Sequence, residues 1–199
     1  MKTKRLQTVL VATATLLAAL WSPSSTAQTY PTKPIRIVVP WSAGGSTDAI
    51  GRTLAARLSE TIGQQVIVEN KPGAGGTLGV DQVAKSTPDG YTLTVIELPH
   101  ASAQALLSKV PYDLNTDLVA IAHLGIAPLV APAKTPPEIL EKLRTEVAIA
   151  MNHASLKERL AALSIEPPTM SPTQFQAYVG NEVKRWNKVA RDANIRVED

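Results

Sequence analysis

Short apolar runs alternate with glycine-rich loops and helical periodicity in the first half of the chain. Residues 35–39 (IRIVV) are a β-branched run of the length typical of a buried strand. A small, flexible loop at 41–45 follows, and apolar side chains then recur every four positions from Ile50 to Ile62. Gly63 is well placed to end that helix. The pattern therefore predicts a strand, a glycine loop and a helix.

The same pattern occurs a second time further along the chain. Residues 65–69 predict a strand, 70–76 a loop with three glycines, and 77–86 a helix. Residues 91–96 predict a third strand, and 101–108 another short helix. This alternation predicts an α/β fold with two right-handed βαβ crossovers in a parallel sheet flanked by helices.

The second half predicts a junction and three helices. Residues 118–131 are apolar but contain Gly125 and Pro128, which predicts either one long crossing strand or two short ones. Helices are expected to begin at a capping box over 135–138, at Ser155 and at Ser171. The last helix is expected to bury an apolar stripe made of Phe175, Tyr178, Val179, Trp186, Val189 and Ala190.

Residues 1–27 have the order of an export signal. Lys2, Lys4 and Arg5 precede an apolar stretch at 6–21, which is too short to span a bilayer, and small residues then lead to Ala27. The sequence predicts cleavage near Ala27 and a periplasmic location, with an uncleaved anchor as the alternative. No membrane span is expected after cleavage. Residues 28–199 are expected to form one α/β lobe, divided into 28–117, a junction strand at 118–134 and C-terminal helices at 135–195.

Charge and composition exclude several classes of function. Three of the 20 basic residues lie in the leader, so 17 basic and 17 acidic side chains remain after residue 27. That balance, without a basic cluster, argues against a nucleic-acid partner. The chain has no cysteine, which excludes disulfides and cysteine-bound zinc, and no cofactor or metal is expected.

The two glycine loops are the strongest candidate for a site. Each is expected at the carboxyl end of a parallel strand and at the start of a helix, where backbone N–H groups and the helix dipole favour an anion. The expected donors are the N–H groups of Gly44, Gly45, Gly75 and Gly76. Plain tight-turn geometry is the alternative. A dinucleotide site is a weaker one, because Leu78 stands where its fingerprint requires a glycine.

Residues suited to catalysis are scattered. His100, His123 and His153 lie far apart in the sequence, and Glu60 and Glu69 are isolated acids. No nucleophile elbow or metal-ligand spacing occurs. A non-enzymatic protein is therefore expected, and a small periplasmic enzyme is kept only because parallel α/β sheets often host enzymes.

Several separate motifs resemble one family. Residues 30–48, 68–76 and 84–93, and in the tail 131–139, 159–163 and 186–190, are similar to the substrate-binding proteins of tripartite tricarboxylate transporters, the Bug family of periplasmic receptors. The resemblance extends over residues 29–195. It implies a fold like that of type II periplasmic binding proteins and a membrane transporter of this type as a partner.

The resemblance also implies a ligand site. In this family the backbones of two glycine loops hold the ligand's carboxylate, and a second lobe closes over it. Carried over, the ligand-binding residues are Ala43, Gly44, Gly45, Ser46, Thr47 and Asp48 in the first loop, and Gly73, Ala74, Gly75, Gly76 and Thr77 in the second.

The second lobe of the family is missing from this sequence. In the family, roughly 100–150 residues separate the segment like 118–130 from the segment like 131–138. Here the two are joined directly. A further departure is the acid in Glu97-Leu-Pro-His100, where the family carries small hydroxylated residues. The interpretation is a truncated solute receptor that binds small carboxylates weakly, and the alternative is a remnant or interaction protein that binds no solute.

Overall fold

The computed structural model describes residues 30–107, 109–166 and 170–195. The expected signal peptide at 1–27 lies outside these ranges, so cleavage near Ala27 stays a prediction. The described residues contain five strands and six helices. The strands are β1 (Ile35–Val39), β2 (Val66–Asn70), β3 (Thr92–Val95), β4 (Leu118–His123) and β5 (Pro128–Pro132). The helices are α1 (Ser46–Ile62), α2 (Thr77–Ala84), α3 (Leu98–Leu106), α4 (Pro137–Met151), α5 (Ala154–Ala162) and α6 (Pro172–Asp192).

All five strands form one sheet in the order β2-β1-β3-β5-β4. β1 pairs in parallel with both β2 and β3, which confirms the parallel part of the predicted sheet. β5 runs antiparallel to β3 and to β4, so the sheet is mixed rather than wholly parallel. The apolar segment after residue 117 is therefore two short strands. The reason is length, because the four residues between β4 and β5 allow only an antiparallel return.

Both faces of the central strands are covered by helices. Every residue of β3 and β5 is buried. α1 packs on β1 and β2 and contacts α4 and α5, while α2 packs on β3 and α3 packs on α6. The apolar stripe predicted for α1 is confirmed, since its members from Ile50 to Ile62 are all buried. These contacts leave the loops after β1, β2 and β3 at one edge of the sheet.

The last helix buries only part of the predicted stripe. Phe175, Val179 and Ala190 are buried as predicted, and Val183 is buried as well. Tyr178 and Trp186 are only half-buried, and Val189 is 43% exposed. The physical reason is the partner, because the helix face is set by where α3 and β4 lie and not by hydrophobicity alone.

The predicted helix starts were partly right. The predicted start at Ser171 is confirmed, since Ser171 is the N-cap of α6 and forms a capping box with Gln174 through reciprocal side-chain to backbone hydrogen bonds. At 135–138 no capping box forms: Thr135 donates its hydroxyl to the Pro132 carbonyl, and α4 begins without a side-chain cap. None of the helices within the described ranges is both long and apolar enough to cross a bilayer.

Candidate functional site

Three loops meet where the parallel strands end. They are residues 40–45 after β1, the first glycine loop; 71–76 after β2, the second glycine loop; and 96–97 after β3. Because β1, β2 and β3 are parallel, their carboxyl ends lie at the same edge of the sheet, where α/β folds place their ligands. α1, α2 and α3 begin directly after these loops, so three helix N-termini face this edge.

A buried carboxylate holds the first glycine loop in place. The Asp48 side chain, in the first turn of α1, accepts a hydrogen bond from the Gly44 N–H at 2.9 Å. It forms a two-point ion pair with Arg52, with both distances 3.0 Å, and accepts from the Asn70 side-chain amide at 2.8 Å. Asn70 also donates to the Trp41 carbonyl at 3.1 Å. The end of β2 is thereby tied to the loop that follows β1.

The environment of Asp48 favours its charged form. Burial alone would raise the pKa of this carboxyl, but the hydrogen bonds from Arg52, Gly44 and Asn70 outweigh burial and lower its pKa below the usual 3.8. The side chain is 5% exposed, and both of its oxygens are already engaged. Asp48 thus shapes the loop and presents no free oxygen to solvent.

The second glycine loop has an unusual backbone. Four successive residues, Gly73 to Gly76, have φ values of 134°, 47°, 63° and 89°, in the left-handed region that favours glycine. The Gly76 N–H donates to the Gly73 carbonyl at 2.9 Å, and the Thr77 hydroxyl donates to the Ala74 carbonyl at 2.8 Å. The loop is a self-bonded turn that leads into α2.

Close backbone contacts hold the second loop against the first. A side chain at Gly79 would place its Cβ 2.9 Å from the Lys71 carbonyl oxygen and 3.0 Å from the Pro40 Cα. A Cβ at Gly76 would lie 2.5 Å from His100 Nε2. Only glycine fits at these two positions, because the neighbours at Gly79 are backbone atoms that cannot rotate away.

His100 and Glu97 cap α3 reciprocally. The Glu97 side chain accepts from the His100 backbone N–H, and His100 Nδ1 accepts from the Glu97 N–H at 2.9 Å. The His100 ring is fully buried, lies 5.3 Å from the Trp41 ring, and has no hydrogen-bond partner at Nε2 within the described structure. Burial lowers the pKa of His100 to about 4, against the opposing effect of the Glu97 and Gly76 backbones. His100 is therefore neutral at pH 7 and fixes loop geometry.

The predicted site residues divide into exposed and buried groups. Those that face solvent are Ala43, Gly44, Gly45, Ser46, Ala74 and Gly75; Gly73 is partly exposed, and Thr47, Asp48, Gly76 and Thr77 are buried. The expectation of free donors is wrong for Gly44 and Gly76, because the Gly44 N–H donates to the Asp48 side chain and the Gly76 N–H donates to the Gly73 carbonyl. Both hydrogen bonds are local, but loop composition does not show which backbone N–H groups they occupy.

Three residues of this site escaped the sequence analysis. Trp41 packs on His100, while Arg52 and Asn70 complete the network around Asp48. Asn70 had a usable signal, since a polar residue that ends a parallel strand lies at the ligand edge of the sheet. Arg52 also had one, because it stands four residues after Asp48 on the same helix face.

The remaining candidates for chemistry do not assemble into a centre. Among the described residues, no three His, Asp or Glu side chains lie together as a metal site would need. His123 stacks on Phe175 at 4.9 Å between ring centroids, and burial lowers its pKa. His153 is exposed and caps α5. His123 thus packs against a core ring and His153 caps a helix, and within the described ranges neither lies in a group of residues suited to catalysis.

One protein-family model matches most of this chain. The family model described as "Tripartite tricarboxylate transporter family receptor" matches the chain twice, over residues 50–130 and 125–195. The chain belongs to the tripartite tricarboxylate transporter receptor family. The second match begins at residue 125, ahead of the boundary that the sequence analysis expected after Val130. Members of this family are receptors, which agrees with the expected non-enzymatic nature of the chain.

Curated relatives carry Bug and related names. The chain is 42% identical over 124 residues to protein BugT of Bordetella pertussis, which covers 61% of this chain and 36% of BugT. It is 39% identical over 136 residues to a UPF0065 protein of Cupriavidus necator, covering 67% of this chain and 41% of the relative. The chain thus spans well under half of the length of the curated relatives that it matches.

Solved structures share the fold of this transporter-receptor chain. The periplasmic binding protein BugD superposes with a TM-score of 0.77 at 20% identity, over 85% of this chain and 100% of that chain. MatC of Rhodopseudomonas palustris with bound malate superposes with a TM-score of 0.74 at 20% identity, over 80% of this chain and 99% of that chain. An R. palustris protein with adipate superposes with a TM-score of 0.71 at 21% identity, over 84% of this chain and 99% of that chain. These likenesses confirm the predicted periplasmic-binding-protein type of fold.

Proposed function

We propose that this chain is the single lobe of an exported solute receptor, which binds small carboxylates weakly at the start of α1. The observation that carries the proposal is a set of unused donors. In the part of the chain that the structure describes, the backbone N–H groups of Gly45 and Ser46 have no protein acceptor. Both residues are exposed, and they lie at the positive end of a 17-residue helix.

Family membership adds the ligand class to this geometry. The donors of an α-helix N-terminus suit a carboxylate without any cationic side chain. Two structural relatives carry carboxylates, malate in one and adipate in the other. In this proposal Gly45, Ser46 and the exposed backbone at 74–75 contact the ligand, while Asp48 positions the first glycine loop and does not itself touch an anion.

An internal omission of the second lobe accounts for the short chain. The two family matches meet at residues 125–130, within and just before β5. There β4 and β5 are joined by a tight turn, in which the Leu124 N–H donates to the Ala127 carbonyl at 2.9 Å. In this proposal the turn replaces the chain that would leave for and return from a second lobe, and residues 28–199 form one lobe.

Weak binding follows from a one-walled site. A competent pocket buries roughly 70–90% of a small ligand, whereas one lobe leaves a carboxylate open to competing water. A hydrogen bond to a charged group contributes about 1.5–3 kcal/mol, and binding costs several kcal/mol of lost freedom. Two or three donors then leave a dissociation constant of about 1 mM. The periplasmic location and a transporter partner belong to the same proposal.

Titration calorimetry with mono-, di- and tricarboxylates tests the proposal on the mature protein. The best ligand of the panel should bind with a dissociation constant of about 1 mM. Asp48→Asn should weaken that binding further, because it loosens the first glycine loop. Asp89→Asn is the matched control, since Asp89 pairs with Lys33 at the opposite edge of the sheet and should change nothing.

Each contrary result has a definite meaning. Low-micromolar binding by the monomer would contradict the weakened one-walled site. Low-micromolar binding by a dimer alone would mean that a second copy supplies the missing wall. No saturable binding of any carboxylate would favour the alternative of a remnant or interaction protein without a solute.

A further inference from the structure

A second carboxylate lies beside the first glycine loop. Glu97 directly follows β3 and is half-buried. Its Oε1 accepts the hydroxyl hydrogen of Thr47, a residue in the first turn of α1, and its side chain also accepts from the His100 N–H. The Glu97 carboxylate is therefore next to the helix start that carries the unused donors of Gly45 and Ser46.

Glu97 is not paired with a cationic side chain in the described ranges. Asp48 is neutralised by its ion pair with Arg52, but Glu97 forms no ion pair with any Lys, Arg or His of the described ranges. Lys71, in the second glycine loop, is exposed and does not contact it. A ligand at the start of α1 would thus meet one carboxylate that has no cationic side chain as a partner.

Glu97 also lines a cavity whose other walls are mostly apolar. This cavity of about 250 Å³ is lined by Glu97, by Ile96 and Ile126, and by the rings of Phe175 and Tyr178. Its other acid, Glu182, is paired with Arg185 at 3.3 Å, and no Lys or Arg is among the described residues that line the cavity. A second carboxylate of a ligand would have no cationic partner in this cavity, whereas a small hydrocarbon group could pack against its apolar side chains.

We propose that Glu97 makes this site selective for solutes that carry an ammonium group next to the carboxylate and a small apolar body, as apolar α-amino acids do. This inference rests on the proposed function, because the glycine-loop donors anchor the carboxylate. The ammonium supplies the counter-ion that Glu97 lacks, and the hydrocarbon enters the adjoining cavity. A dicarboxylate instead meets like charge at Glu97.

The competing role for Glu97 is purely structural. Glu97 caps α3, and a cap needs only an acceptor oxygen. Glu97→Gln retains a side-chain oxygen that can accept the Thr47 hydroxyl while it removes the charge. A role confined to capping therefore predicts no change in ligand preference, and a role in selection predicts a large one.

Three six-carbon probes separate these roles by calorimetry on the mature protein: L-leucine, 4-methylpentanoate and adipate. The wild type should bind leucine about tenfold more tightly than 4-methylpentanoate, which lacks only the ammonium, and should bind adipate most weakly. Glu97→Gln should abolish the preference for leucine and improve adipate binding about tenfold. Glu60→Gln, at the far end of α1, is the control and should change neither the preference for leucine nor the binding of adipate.

The outcomes distinguish this inference from the proposed function. If the wild type prefers adipate, or binds leucine and 4-methylpentanoate equally, the selectivity is wrong and carboxylate binding stands. If none of the three probes binds, the proposed function is wrong, and this inference is wrong as well because it depends on carboxylate binding. Should Glu97→Gln not fold, as judged by thermal unfolding, the comparison of leucine with 4-methylpentanoate on the wild type still decides.

Discussion

Lowering the pH should destabilise this protein through His100. The ring is fully buried between Trp41 and the second glycine loop, and its Nδ1 accepts a hydrogen bond from the Glu97 N–H. Protonation of Nδ1 would remove that hydrogen bond and place a charge in a buried site. The folded state therefore resists a proton that the unfolded chain accepts freely.

The size of the effect follows from the shift in pKa. The pKa of His100 is lowered from 6.5 to about 4, so between these values the unfolded state binds more protons than the folded state. The stabilisation is complete above pH 6.5 and is lost as the pH falls toward 4. At pH 5 the loss amounts to about 2 kcal/mol of unfolding free energy.

Urea unfolding at pH 7.5 and pH 5.0 measures this loss. His100→Gln has no imidazole, so the wild type should lose about 2 kcal/mol more than the variant over this interval, after the carboxylates common to both cancel. His153→Gln removes an exposed imidazole and should behave like the wild type. Equal losses in wild type and His100→Gln would refute the reasoning. So would a His100 ring that titrates near 6.5 by NMR in the folded protein, a test that needs no variant.

Three further outcomes are expected. Gly79→Ala should destabilise the fold by about 1–3 kcal/mol in urea, since its Cβ would lie 2.9 Å from a backbone oxygen, and an unchanged midpoint would contradict the packing of the two glycine loops. Phe175→Ala should cost about 3–5 kcal/mol and Val189→Ala less than about 0.5, whereas the reverse order would mean that the buried stripe of α6 is misassigned. The mass of the exported protein should be that of a chain that begins at Gln28. A mature chain that begins at Met1 would make residues 1–27 an anchor.

Much of the framework could be predicted from local pattern. The β-branched run at 35–39 is the strand β1, and the four-residue spacing from Ile50 to Ile62 gives the buried face of α1. Both glycine loops were expected at the carboxyl ends of parallel strands, and β1, β2 and β3 place them there. These features depend on residues that are close in the sequence, so they can be predicted from the sequence alone.

The parts that failed depend on side-chain rotamers or on partners distant in the sequence. Whether the Gly44 N–H is free is decided by the rotamer of Asp48, and whether Val183 or Val189 is buried is decided by the position of α3. The reversal of β5 follows from a four-residue connection whose role is visible only once both strands are assigned. The cap at Glu97 and His100 had a local signal, since the two stand three residues apart as in a capping box.

The turn between β4 and β5 has a practical consequence for protein engineering. Its two ends lie one hydrogen bond apart, from the Leu124 N–H to the Ala127 carbonyl, so a guest domain with neighbouring termini could be inserted there without stretching the host sheet. Gly125 should be left in place, because its φ is 101° and a Cβ would lie 2.6 Å from Ile165. Ile126 is 38% exposed and is the suitable graft point. Chimeras built at this turn would make the chain a scaffold on which different closing lids could be compared over one fixed set of loops.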